Sequence, residues 1–463
     1  MLPPAVHYEL DRVVCALRAN SIFHPHCFYP DGLGDVPGCV NAATACRVAM
    51  EDVRSESEAV RAAAMPHVPR LRLQSSESGR PFAHVAEGAF MSPAASTLPG
   101  VAAECRFQLI TPQGAALGSG SGGAPRAIAI ILPGTGEQGF GRRRHLVAYP
   151  LARRGVASVL LEGPFYGTRR PRGMHGSKLR ALADLPVLGR ATIDEARTLV
   201  AWLRSRDAAA AARAVDALPR ASWPPAEVVE ELGGAAAHAG APERAAYESV
   251  VISGTSMGGL HAAMTASLLP ADVGARVGVA AWLCPPSGVG VFTAGALASS
   301  VDWRALARDA DESAPNAAAR ESALKAIDTL INCGAGASAP HSRLPNEATV
   351  DRLARAVPNV SRSALGLAAR AAARLLRCTD ITNFPPPARA DACVFVAAAH
   401  DAYVPLDEDA SAMWAHISRS WPGSSVRKIP AGHVSGSLLN IETHVDTICE
   451  VAARVTAHAE SHG

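Results

Sequence analysis

The chain has 463 residues, enough for one large domain with insertions or for two ordinary ones, and at 48% hydrophobic it can bury a large core. Its 44 basic against 42 acidic residues leave a formal net charge of +2, which argues against a general nucleic-acid binder. Ten cysteines without a C-x-x-C pair or a short regular framework point to reduced thiols in an intracellular protein.

The first eleven residues lack a basic region followed by an apolar one, and Glu9 and Asp11 count against a mitochondrial presequence. Residues 6–20 have a helical pattern, whereas 21–80 read as irregular and rich in His, Cys, Pro and Ser. Within that stretch His24, His26, Cys27, Cys39 and Cys46 match no zinc spacing, so no metal is expected. Strand signals begin at Phe82–Phe90 and continue in Glu104–Thr111, where alternation implies one buried face. After a Gly/Ser stretch, Gly118 to Gly123, come two short apolar strands, Ala127–Leu132 and Ala157–Leu161. Thr192-x-x-Glu195 reads as a capping box that opens a helix with Ile193, Ala196, Leu199, Val200 and Leu203 on one face. Residues 207–247 are alanine-rich and low in complexity, a surface insertion between two core elements.

Ser249–Ser253 is a buried strand, followed by a helix with Met257, Leu260, Met264 and Leu268 at helical spacing. The uncharged run from Val277 to Ala298 is long enough to raise the question of a membrane span. Pro285, Pro286, Gly288, Gly290 and Gly295 would break such a helix, so a strand to Cys284 and a loop are expected, with no transmembrane segment. A long, mainly helical insertion covers 285–388. Strand Ala392–Ala397, a helix over 406–420, strand Ser425–Ile429 and a helix over 436–458 complete the chain. Short apolar strands alternating with amphipathic helices predict an α/β protein with a mostly parallel central sheet covered on both faces. The division is an extension over 1–80, a core over 81–284 and 389–460, and a lid over 285–388.

Gly254-Thr255-Ser256-Met257-Gly258 is the only G-x-S-x-G pentapeptide, and it lies between strand and helix, the context in which the motif has a mechanism. A serine hydroxyl needs a base within reach and a third group to orient that base. Asp401 follows the strand ending at Ala399, and His433 follows the strand ending at Ile429, giving the order serine, acid, histidine. Asp302 is the reserve acid, and His400 is read as structural. The amides of Met257 and of Thr135, in the loop Pro133–Glu137, are the expected oxyanion donors. Arg143 and Arg144 follow that loop and Arg169 follows the next strand, so all three are candidate ligands for an anionic substrate group. Structural or solvated arginines remain the alternative.

These residues resemble the α/β-hydrolase superfamily, and within it the alpha/beta hydrolase domain-containing protein 18 family. The resemblance rests on Phe90-Met-Ser-Pro93, Leu132-Pro-Gly-Thr-Gly136, Arg142-Arg-Arg144, Leu160-Leu-Glu-Gly-Pro-Phe-Tyr-Gly167, Gly254–Gly259, Gly288–Gly295, Asp302-Trp303 and Gly432-His433. It covers about 82–458 and departs at 207–247 and in the N-terminal region. It implies an α/β-hydrolase fold with Ser256 as nucleophile, Asp401 as acid and His433 as base. It also implies an intracellular lipid acyl-hydrolase, in mitochondria by resemblance only, acting on a phospholipid such as cardiolipin. The expected function is therefore hydrolysis of a carboxylic ester, of a lipid or other small molecule, through an acyl-serine and without a cofactor. Membrane contact would be peripheral, and no nucleic-acid partner is expected. An acyltransferase using the same acyl-enzyme and a non-catalytic binding protein are the alternatives.

Overall fold

In the computed structural model, which describes residues 2–19, 27–66, 71–75, 80–112, 127–204, 230–232, 247–334 and 340–462, the apolar runs pair into one sheet. Its strands are β1 Leu71–Ser75, β2 Ala83–Met91, β3 Glu104–Pro112, β4 Ala127–Leu132, β5 Ala157–Leu161, β6 Glu230–Leu232, β7 Ser249–Thr255, β8 Val277–Trp282, β9 Cys393–Ala398 and β10 Ser425–Ile429. The spatial order is β10-β9-β8-β7-β4-β5-β3-β2-β1-β6. From β10 to β5 every pairing is parallel; β3, β2, β1 and β6 continue the sheet antiparallel. Register sets where these strands stop. Leu132 lies opposite Gly254, and Thr255 opposite Trp282, so β4, β7 and β8 end level with one another. Parallel strands in register send their outgoing loops to one edge, where an α/β sheet binds ligands.

The central strands are buried on both faces, as continuous apolar runs require. On one face Ile128, Ile130, Leu132, Val250, Ile252 and Phe395 pack under the helices Asp184–Leu203, Met257–Ser267 and Glu408–Ser420. On the other, Ala129, Ile131, Val251, Ala280 and Val394 meet Leu151, Val445, Ile448 and Val451 of the helices Tyr149–Arg153 and Ile441–His462. Each large aliphatic side chain so buried contributes about 1.5–3 kcal/mol relative to exposure.

Three details differ from the sequence reading. Residues 21–80 are not irregular where described: Val36–Asp52 and Glu58–Ala64 are helices, and β1 follows. The first of these is built from alanine, cysteine and valine rather than leucine, so its apolar face is faint in the sequence. It becomes a helix by packing Val36, Cys39, Ala42 and Met50 inward, with Asp35 capping it through Gly38 N. Thr192 and Glu195 open nothing, because that helix starts at Asp184. Thr192 Oγ1 donates to Leu188 O, a mid-helix bond, and Glu195 is buried against Arg169. The last helix is two: His433–Leu439 and Ile441–His462. The region 285–388 is mainly helical as expected, with helices Gly288–Thr293, Trp303–Ala310, Ala317–Gly334, Glu347–Ala356 and Arg362–Leu376. They share a core with Phe28, Tyr29, Leu33, Val36 and Cys39, so N-terminal residues and helical segment form one body.

Among the described residues no helix is long and apolar enough to cross a membrane; the run from Val277 becomes β8 and then Gly288–Thr293. Cys39 donates to Ala183 O inside the protein, while His24 and His26 lie outside the described residues. The insertion 207–247 also lies outside them, apart from β6 and Tyr247.

Two buried histidines set a pH dependence. Burial lowers His261 to about 4 and His444 to about 3. Both stay neutral in the fold while the unfolded chain takes up protons below about 6.5. The unfolded state then binds more protons, so stability is lost as pH falls from about 6.5 toward 4. Each group contributes a slope of about 1.4 kcal/mol per pH unit. His444→Gln should flatten the measured slope of unfolding free energy against pH by roughly that amount. An unchanged slope would mean that His444 already titrates in the fold.

Candidate active site

Ser256 joins β7 to the helix Met257–Ser267, and its backbone is left-handed, with φ 58° and ψ −123°. A non-glycine residue there is strained by about 1–3 kcal/mol and persists only where its surroundings over-determine it. They do so here. Ser256 N donates to Trp282 O at 2.8 Å, while Ser256 O accepts from Gly259 N at 2.9 Å and Leu260 N at 3.2 Å. The flanking glycines are steric necessities: a Cβ on Gly254 would lie 2.5 Å from the Gly258 carbonyl carbon, and one on Gly258 would lie 2.7 Å from Leu132 O.

Asp401 sits on the loop after β9, and His433 ends the loop after β10 by opening the helix His433–Leu439, at the same sheet edge. His433 Nδ1 and Asp401 Oδ2 are 2.8 Å apart. The other carboxylate oxygen, Oδ1, accepts from Tyr403 N and Val404 N, both at 2.8 Å, so the carboxylate cannot swing. The Tyr403 ring stacks on His433 with centroids 5.0 Å apart. Ser256, Thr135 and His433 line one cavity of about 360 Å³; Asp401 is buried behind the histidine. Asp302 is elsewhere engaged, capping the helix Trp303–Ala310 through Ala305 N at 3.0 Å. His400 stacks on His7, 5.8 Å away.

The loop after β4 carries Thr135 to the cavity wall, and Met257 begins the helix after Ser256. Glu137 closes this loop: its Oε2 accepts from Gly134 N at 3.2 Å and pairs with Arg143 Nε at 3.2 Å. That pairing corrects the expectation for the arginines. Arg143 borders the cavity but is only 5% exposed, and its guanidinium points inward. Nη1 donates to Ile131 O and Leu161 O at 2.7 Å each, and Nη2 to Gly139 O at 3.0 Å. Burial pulls its pKa down and the Glu137 and Glu162 carboxylates oppose this. Arg144 Nη1 donates to Gln108 Oε1 on β3 at 3.1 Å. Arg169 is fully buried, forked onto Glu195 at 2.5 and 2.9 Å and bonded to Ala102 O and Glu162 O. Strand ends and turns leave carbonyls that the sheet does not satisfy, and a guanidinium fork is the side chain that can take several at once. The cations that line the cavity besides Arg143 are Arg142 and Lys178. Burial lowers the Lys178 pKa; Cys27 and Cys15 act the other way.

Sequence reasoning also missed Asp11. From the N-terminal helix Pro4–Ala19 its carboxylate reaches the backbone of both the Asp401 and the His433 loops. The one available signal was that His7, Asp11 and Cys15 share a helical face at i, i+4, i+8, all buried.

The family model for "Alpha/beta hydrolase domain containing 18" matches residues 28–208 and 236–454, the family that the sequence motifs resemble, and its break falls within the alanine-rich stretch. Among solved structures, the chain is similar to acetyl xylan esterase 1 from Thermoanaerobacterium sp. at 12% identity, covering 91% of this chain and 96% of that one, with a TM-score of 0.37. It is also similar to brefeldin A esterase, described as a bacterial homologue of human hormone sensitive lipase, at 12% identity, 97% and 94% coverage and a TM-score of 0.39. A putative hydrolase from Legionella pneumophila has 12% identity, 82% and 90% coverage and a TM-score of 0.41.

Breaking a buried ion pair by removing one partner costs about 3–5 kcal/mol, because the other charge stays buried. Arg169→Ala should therefore lower stability by that order through Glu195, measured by denaturant unfolding. Arg143→Gln should destabilise and should slow turnover of neutral and anionic esters alike. A loss confined to anionic esters would restore Arg143 as a substrate ligand.

Proposed function

The chain belongs to the alpha/beta hydrolase domain containing 18 family, and from that membership we propose that it is a serine hydrolase cleaving a lipid carboxylic ester. The observation that carries this reading is the convergence of strained Ser256 and the Asp401–His433 pair on one cavity. In the first step Ser256 Oγ bonds to the acyl carbon while its proton passes to His433. With Nδ1 committed to Asp401, Nε2 is the ring nitrogen for that transfer. The negative charge developing on the carbonyl oxygen is met by the amides of Met257 and Thr135. His433 then gives its proton to the departing alcohol oxygen as the ester bond breaks. Water repeats the sequence on the acyl-serine, releasing the acid and restoring Ser256. Asp401 orients the imidazole and stabilises its charged form. The chemistry requires no cofactor.

A lipid acyl chain suits the apolar lining contributed by Val14, Leu146, Val291, Leu297 and Leu438. Arg142, the exposed arginine on the cavity lining, favours an anionic group, hence a phospholipid, taking the role that the sequence offered to Arg143, Arg144 and Arg169. The helices between Gly288 and Leu376 act as the lid, and contact with the lipid phase is peripheral. The thiols suit an intracellular setting.

Ser256→Ala should abolish labelling by a fluorophosphonate probe and cut turnover by about a millionfold, with the fold retained. Asp401→Asn should cost roughly ten-thousandfold through the wrong histidine tautomer, and Asp302→Asn should be mild. Labelling that survives in the Ser256 variant sinks the proposal. Arg142→Gln should slow hydrolysis of an anionic phospholipid roughly tenfold more than that of a neutral short-chain ester, the worth of one charge-assisted hydrogen bond. Equal loss on both substrates would remove the anionic preference.

A further inference from the structure

We propose that Asp11 is a positioning residue of this site: its carboxylate clasps the loop that carries Asp401 to the loop that carries His433 and so sets the geometry of that pair. The inference rests on the hydrolase reading above. The helix Pro4–Ala19 precedes the residues that the family model matches, so nothing in that match assigns Asp11 a role.

One carboxylate oxygen bridges the two loops. Asp11 Oδ2 accepts from Ala402 N at 3.0 Å and from His433 N at 2.8 Å, the amides next to Asp401 and of His433 itself. Oδ1 accepts from Val434 N at 2.8 Å. Asp11 is 0% exposed, and among the described residues no lysine or arginine pairs with it. A buried carboxylate without a cation is costly, and only well-directed donors make it tolerable. Burial pushes its pKa up, the three amides hold it down, and the nearby charge of Asp401 adds to the rise. A neutral side chain would be the cheaper occupant if the position served packing alone.

The rest of the contact is shaped to admit this carboxylate. At Gly432 a Cβ would fall 2.9 Å from His7 O and 3.0 Å from Asp11 Oδ2, so the histidine loop is bare backbone where the helix approaches. One turn before Asp11, His7 Nδ1 lies 2.7 Å from Ser435 Oγ, which itself accepts from Gly432 N, and the His7 ring stacks on His400. One turn after, Cys15 Sγ donates to Ala296 O at 3.2 Å and borders the same cavity as Ser256. The helix therefore bears on the backbone of both loops without touching the reacting atoms. A shift of about 1 Å in such a pair can cost on the order of a hundredfold in rate.

The test uses the full chain with Asp11→Asn, which keeps shape and one acceptor but presents an N–H to amide donors, and Asp11→Ala. Val13→Ser, on the exposed face of the same helix, is the control. Turnover of a neutral short-chain ester and the rate of fluorophosphonate labelling at Ser256 are measured with thermal unfolding. The expected result is a fall in kcat and labelling rate of roughly 30–100-fold in Asp11→Ala and less in Asp11→Asn, with KM within about twofold and the control unchanged. Should Asp11→Ala fail to fold, Asp11→Asn decides. Wild-type kcat in a folded Asp11 variant, or a change confined to KM, overturns the inference while leaving the hydrolase reading intact. Absence of labelling at Ser256 in the wild-type protein overturns the hydrolase reading instead, and Asp11 then has no such pair to position.

Discussion

Everything at this sheet edge depends on backbone meeting backbone between β4 and the start of the Met257–Ser267 helix. Gly258 packs on Leu132 O and Gly254 on Gly258, with no room for a Cβ at either. That contact forces the turn to be completed in one residue, and Ser256 takes the left-handed conformation as a result. The strain is held by the Trp282 carbonyl on β8, so the neighbouring strand fixes the serine as firmly as its own does. Register then decides the remainder: parallel strands ending level place the loops after β4, β9 and β10 around the same point.

Loops at strand ends are full of carbonyls and amides that no ladder satisfies, and this protein meets them with buried charge. Arg143 takes carbonyls from the ends of β4 and β5 and from the following turn while pairing with Glu137. Arg169 does the same between Ala102, Glu162 and Glu195. Asp11 is the acidic counterpart, collecting amides from the loops after β9 and β10. Guanidinium groups on one side and a carboxylate on the other thus shape the rim before any substrate arrives. Arginines that look like ligands in a sequence are here part of the wall.

The N-terminal residues and the helical segment belong together. Phe28 bridges to Val301 in parallel fashion, and Phe28, Tyr29 and Phe292 form an aromatic cluster with centroids 5.5–5.7 Å apart. The segments from Phe28 to Cys39 and from Gly288 to Leu376 share one apolar core distinct from those against the two sheet faces, while Ala49 and Met50 pack on a sheet-face core. Phe28, Tyr29, Leu33, Val36 and Cys39 are buried together with side chains of the helical segment, so each covers part of the other's apolar surface.

By itself the sequence determined the central sheet and the serine turn, because those rest on local rules. Continuous runs of valine, isoleucine and alanine must be buried on both faces, and glycine is demanded wherever backbones touch, so β4 and β5 were legible residue by residue, β7 and β8 to within two residues at their C-terminal ends, and the turn at Ser256 with them. The order serine, aspartate, histidine was legible too, since each residue follows a recognisable strand. Only the tertiary structure decided which polar groups face the cavity. Arg143 and Arg169 turned inward because carbonyls at strand ends and turns needed donors, Arg144 reached the Gln108 side chain on β3, and Glu195 left its apparent capping role because Arg169 needed a carboxylate. Asp11 lies hundreds of positions before the loops it joins, and the helical face it shares with His7 and Cys15 does not tell which backbone it would meet. Hydrogen-bond demand in a folded interior is a property of distant backbone brought together, and a sequence read along its length does not contain it.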